Sequence, residues 1–124
     1  MAWGIGVPSP KPKRKVSAAT RKRRERKVIE RVRALVEARD GFCRMRRLPC
    51  FVDVFGQCQG VSEWAHLGDL KRFKTRGQAP ERRHTTGGTA MLCTKHHHDY
   101  DAHRIEIRAV TERGADGPLI VEKR

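Results

Sequence analysis

The sequence predicts a small α+β fold, and three observations carry that prediction. Val28, Ile29, Val32, Leu35 and Val36 recur at helical spacing within residues 17–39, the i, i+3, i+4, i+7 signature of one buried helix face. Residues 61–67 and 104–108 alternate instead, the period of a half-buried strand. Leu92-Cys93-Thr94-Lys95-His96-His97-His98-Asp99-Tyr100-Asp101 concentrates side chains that ligate metals or move protons. Packing alone has no use for such a run.

The chain has 124 residues, only 6% of them aromatic. A domain of this size buries a modest core, so a metal staple is an expected source of stability. Its 28 Lys and Arg against 14 Asp and Glu leave a formal charge of +14, with a pI near 10.7. Charge that large and clustered points to a polyanionic partner, nucleic acid. No apolar run is long enough to span a bilayer, and residues 1–12 are Gly- and Pro-rich without the apolar core of a secretory leader. The expectation is an intracellular, cytoplasmic protein with no membrane partner. In that setting the four cysteines favour metal ligation over disulfides.

In chain order, residues 1–16 form a Pro- and Lys/Arg-rich tail expected to be disordered. Ser17 or Thr20 then caps a basic amphipathic helix over 17–39. Its first turns set Arg21, Lys22, Arg23, Arg24, Arg26 and Lys27 against a lone Glu25, a face suited to a phosphate backbone. Asp40-Gly41 ends the helix. Residues 43–60 read as an irregular cysteine-bearing loop, and 61–67 as a strand with Trp64 and His66 on one face, Glu63 and Ala65 on the other. Residues 68–88 are a basic connection carrying Lys71, Arg72, Lys74, Arg76, Arg82 and Arg83, able to hide a second short strand. A helix is expected over 91–101, a last strand over 104–108 and a turn-rich C-terminal extension over 111–124.

The cysteine spacing is Cys43-x6-Cys50-x7-Cys58, followed far downstream by Cys93-x2-His96. Cys93 and His96 supply half of a tetrahedral site, so three cysteines compete for two places. Cys58 takes one, because Gly56 and Gly60 flank it and permit the tight turn of a zinc knuckle. Cys43, just after the helix stop, is expected to take the other, with Cys50 as its alternate. Four protein ligands and no open position describe structural zinc. With His96 so engaged, His97 faces elsewhere and shares a helix face with Asp101 at i+4. That pair suits a hydrated magnesium or manganese ion, with nickel a third candidate. His66, at a strand end before the basic connection, has an unperturbed pKa of roughly 6.5, suited to taking a proton from water near neutral pH.

Arg39-Asp40-Gly41-Phe42-Cys43, then Glu63-Trp64-Ala65-His66-Leu67, then Leu92-Cys93-Thr94-Lys95-His96-His97 resembles the HNH endonuclease family. Lys74-Thr75-Arg76-Gly77 and Arg83-His84-Thr85-Thr86-Gly87-Gly88 are further similar to small HNH proteins common in bacteriophages and mobile elements. The similarity covers about residues 36–110. It implies a ββα-metal fold over 40–110, in which zinc knuckles brace a catalytic hairpin and helix. It also implies metal-dependent hydrolysis of DNA phosphodiester bonds, with His66 as general base, His97 as ligand of the catalytic cation and His84 supporting the base or the phosphate. Arg21, Lys22, Arg23, Arg24, Lys71, Arg72, Lys74 and Arg76 would contact DNA. A bacterial host cytoplasm, phage encoding and a packaging or nuclease partner fit the same resemblance. Ala65 stands where many HNH enzymes carry a metal-binding Asp, and Gly88 where the middle Asn is usual. Those departures keep an alternative in view: a zinc-braced DNA-binding or packaging accessory module with weakened catalysis.

Overall fold

The computed structural model describes residues 17–70 and 83–124. The predicted tail over 1–16 and the basic residues Lys71, Arg72, Lys74, Arg76 and Arg82 lie outside the described residues.

Helix α1 runs Ala18–Asp40. Ser17, not Thr20, is its N-cap: the Ser17 hydroxyl accepts from the Thr20 N–H at 3.1 Å, satisfying an N–H that the helix leaves unpaired. Gly41 closes the helix with φ 73, donating its N–H to the Glu37 carbonyl, a left-handed stop that glycine adopts without strain. Val28, Val32 and Val36 form a buried i, i+4 stripe against Met91 and Trp64. Leu35, expected on that stripe, is 56% exposed; the contact is one residue wide, and Leu35 lies round the cylinder from it.

Residues 43–60 are more ordered than expected, holding a single 3-10 turn at Arg44–Arg47 and a short helix, α2, at Phe51–Phe55. Strand β1, Ser62–His66, pairs antiparallel with β2, Thr89–Cys93, in the register Ser62↔Cys93, Trp64↔Met91 and His66↔Thr89. The second strand thus begins just past Gly88. This corrects the helix expected over 91–101: Met91, Leu92 and Cys93 are strand, and helix α3 is Thr94–Asp101. All five residues of β2 are buried, so the strand carries no alternation for a sequence reading to catch. The Cys93 sulfur then caps α3, accepting from the His96 N–H.

The C-terminal residues are also corrected. Strand β3, Ile105–Ala109, pairs antiparallel with β4, Leu119–Lys123, placing Ile107 opposite Val121. The main core joins Met45, Ala65, Leu92, Tyr100, Ile105 and Ile107. The β1–β2 hairpin therefore offers Trp64 and Met91 to α1, and Ala65 and Leu92 to the main core.

A polar clamp ties these parts together. The buried Asp40 carboxylate accepts from Arg39 Nε at 2.7 Å, Arg44 Nη1 at 3.1 Å and the Met91 N–H at 3.0 Å. Arg39 reaches Asp116 at 2.8 Å, and Arg44 reaches the Ala115 and Gly117 carbonyls. Burial alone would raise the Asp40 pKa, but the hydrogen bonds from Arg39 and Met91 and the two guanidinium charges outweigh it and hold it below its ordinary value. Among the described residues, no helix is long and apolar enough to cross a membrane.

Candidate functional site

Cys43, Cys58, Cys93 and His96 come together with their donor atoms all within 4.8 Å of one another. Each arrives on a different piece of local structure. Cys43 follows the Gly41 stop, Cys58 lies between Gly56 and Gly60, both at φ 84, and Cys93 and His96 sit at the β2–α3 junction. His96 Nδ1 faces the sulfurs of Cys43, Cys58 and Cys93 at 3.6, 3.7 and 3.1 Å. Tetrahedral zinc with bonds of about 2.3 Å to sulfur and 2.0 Å to nitrogen separates such atoms by roughly 3.5 Å. Donor set and spacing fit a metal ion, and suit structural zinc. Cys50 is exposed, at φ 55 ahead of α2; Cys43 holds the place the two competed for.

The surroundings suit a ligand set that only a bound cation would charge. His96 Nε2 lies 3.0 Å from the Gly56 carbonyl oxygen, which sets Nε2 as the protonated nitrogen and leaves Nδ1 free to ligate. Burial pushes the Cys43 thiol up to about 12; a bound cation is what would hold it as thiolate. The Arg46 side chain hydrogen-bonds Cys58, and its guanidinium lies 4.6 Å from the Phe42 ring centroid. Three thiolates on a divalent ion leave one negative charge, which Arg46 opposes.

On the α1 side of the hairpin a second group forms. His66 Nε2 meets His84 Nδ1 at 2.9 Å, and His84 Nε2 meets Glu25 Oε1 at 2.9 Å. Arg83 donates to the same Glu25 oxygen at 2.8 Å. Trp64 lines the group, its ring centroid 4.6 Å from that of His66. Partial enclosure by these neighbours lowers the His66 pKa from its ordinary 6.5, and the Arg83 guanidinium adds to the shift. The outer edge of His66 remains exposed. Glu25 is the residue that sequence reasoning missed, and its only trace there was its isolation among the basic residues of α1.

His97 lies on the α3 side, Nδ1 2.8 Å from Glu63 Oε1 and Nε2 3.4 Å from Asp101 Oδ2. The predicted pairing with Asp101 is present; Glu63 was not anticipated. These carboxylates approach opposite edges of the ring. Among the described residues, only the Cys43 cluster brings three or more candidate donors to one point. His98 and His103 are exposed, His103 at φ 59 beside Arg124. Tyr100 is core, its hydroxyl accepting from the Asp69 N–H. Arg104 pairs with Asp99.

Arg21, Lys22, Arg23 and Arg24 are all exposed on α1, one side of which carries Glu25 to His84. A cavity of about 400 Å³ between the two hairpins, lined by Met45, Leu92, Ile107 and Leu119 with Arg44, Arg113 and Asp116, includes none of these histidines.

No protein-family model matches the chain, and no curated protein or solved structure matches it.

Proposed function

We propose that this chain is a metal-dependent endonuclease of HNH type, hydrolysing DNA phosphodiester bonds. The observation that carries the reading is the hydrogen-bonded His66–His84 pair at the open end of β1, next to a hairpin and helix braced by a Cys3His cluster. An exposed imidazole with a lowered pKa is neutral at physiological pH and ready to accept a proton. The basic face of α1 supports a DNA backbone as substrate, through contacts that position without specifying sequence.

In this mechanism His66 takes the proton from a water placed in line with the scissile phosphorus. His84 holds the His66 ring. His97, with Glu63 or Asp101 beside it, would hold a magnesium or manganese ion, which commonly takes one or two carboxylates and completes its shell with water and phosphate oxygens. When bound, that ion supplies charge neutralisation on the phosphate oxygens and the leaving 3′ oxygen. Products would end in 5′-phosphate and 3′-hydroxyl.

One observation favours a second reading, a zinc-braced DNA-binding or packaging accessory module. Both nitrogens of His97 already face carboxylates, and the place of the usual ligand Asp is the fully buried Ala65. Supercoiled-plasmid conversion across magnesium, manganese, nickel and zinc separates the two. Nicking by the parent that falls by about 10²- to 10⁴-fold in His66→Ala, with zinc content unchanged, supports the endonuclease. Equal nicking by parent and His66→Ala refutes it; no nicking with intact DNA binding favours the accessory module.

A further inference from the structure

We propose that Glu25, on the basic helix α1, is a positioning residue that fixes the tautomer of His66 through His84 and so makes His66 Nδ1 the proton-accepting nitrogen. This role for Glu25 rests on the reading of His66 as the base.

Donor and acceptor roles decide the tautomer. An ionised carboxylate only accepts hydrogen bonds. Glu25 is held ionised by the hydrogen bond from His84 and by the charge and hydrogen bond of Arg83. Its contact with His84 Nε2 at 2.9 Å therefore requires a proton on that nitrogen. In neutral His84 the other nitrogen, Nδ1, then carries a lone pair. Its 2.9 Å contact with His66 Nε2 requires the proton to sit on His66. That leaves Nδ1 as the basic atom of His66, and no hydrogen bond among the described residues engages it. The reverse order would set a lone pair of neutral His84 against a carboxylate oxygen at 2.9 Å, an unpaired acceptor clash.

The chain of contacts explains an oddity of α1. Within Arg21–Lys27, Glu25 is the lone acid, where it opposes the attraction of a polyanion. It lies 59 positions from His84, so only the fold reveals its partner. Arg83 braces the same oxygen at 2.8 Å and limits the carboxylate to one orientation. A histidine held by a second imidazole and a carboxylate also keeps its ring from rotating, as the outer partners of ligating histidines do.

The test is histidine tautomer assignment by long-range nitrogen–proton NMR correlation on the zinc-loaded full chain, at a pH above 7. The parent is expected to show His66 protonated on Nε2 and neutral His84. Glu25→Ala should give His66 a mixture of tautomers, and Glu25→Gln, whose amide oxygen still accepts, should restore the parent signal. In plasmid nicking, Glu25→Ala should lose about 10- to 100-fold in kcat with a smaller change in KM, and its pH profile should shift relative to the parent. The charged and titratable neighbours contributing to that profile are Glu25 from α1, His84 and Arg83 before β2, and His97 from α3. An Nδ1-protonated His66, an imidazolium at His84, or a tautomer unchanged in Glu25→Ala overturns the proposal. Absence of nicking by the parent would refute the endonuclease and leave the NMR result to decide the tautomer by itself.

Discussion

His96 donates from Nε2 to the carbonyl oxygen of Gly56 at 3.0 Å, while its Nδ1 faces three cysteine sulfurs. One ring thus joins the Cys3His cluster to the turn that presents Cys58. The geometry makes a sharp distinction between cysteines that lie close in sequence. Cys43→Ser should lose most bound zinc and expose the core, whereas Cys50→Ser should keep zinc and parent-like helicity. Metal analysis of the purified variants with circular dichroism checks both outcomes.

The Asp40 clamp should dominate stability among the charged pairs. Asp40→Ala leaves the Arg39 and Arg44 guanidiniums partly buried without their shared carboxylate, and breaking such a pair costs about 3–5 kcal/mol. Arg33→Ala removes only an exposed i, i+4 pair with Glu37, worth roughly 0.3–0.5 kcal/mol. Urea unfolding of the zinc-loaded proteins, read at the midpoint, should rank them in that order.

The lowered pKa of His66 fixes the sign of one pH effect. The folded state binds the proton less well than the unfolded chain, whose histidine keeps the ordinary 6.5. The stabilising contribution is present above that value. It is lost as pH falls from there toward the folded pKa, because the unfolded chain protonates first. Nicking should likewise persist below pH 6.5 before its acid limb begins. A pH series of unfolding midpoints and initial nicking rates tests both, with His66→Gln removing this component from the stability curve.

Binding to DNA should be electrostatic and set largely by α1. Lys22, Arg23 and Arg24 are exposed, and removing a cation that neutralises one phosphate should reduce the slope of log affinity against log salt by about 0.9. The triple alanine variant, titrated onto a fluorescent duplex at several salt concentrations, should therefore show weaker binding and a flatter slope, equally on unrelated sequences.

Local chemistry was the legible part. Cys93-x2-His96 and the glycines around Cys58 announced a candidate metal site, since a tetrahedral site needs tight turns and close ligands, and the structure gathers the expected four residues. The valine stripe announced α1. Strand β2 was hidden because a wholly buried strand has no alternating pattern. Strand β4 was hidden because Gly117-Pro118 and the charged end around it outweigh three apolar residues. Glu63 and Glu25 could not be assigned, as their histidines lie 34 and 59 positions away. Pairings at that distance are set by the whole fold, and single-chain periodicity is blind to them.

The five residues from Asp40 to Arg44 act on every part of the molecule described. Asp40 grips β2 through the Met91 amide, Cys43 enters the Cys3His cluster, and Arg44 holds the Ala115 and Gly117 carbonyls before β4. So short a stretch cannot release one neighbour and keep its geometry toward the others. Loss of the metal should therefore propagate to the β3–β4 hairpin, which holds no ligand, and the described regions should melt together as one cooperative unit.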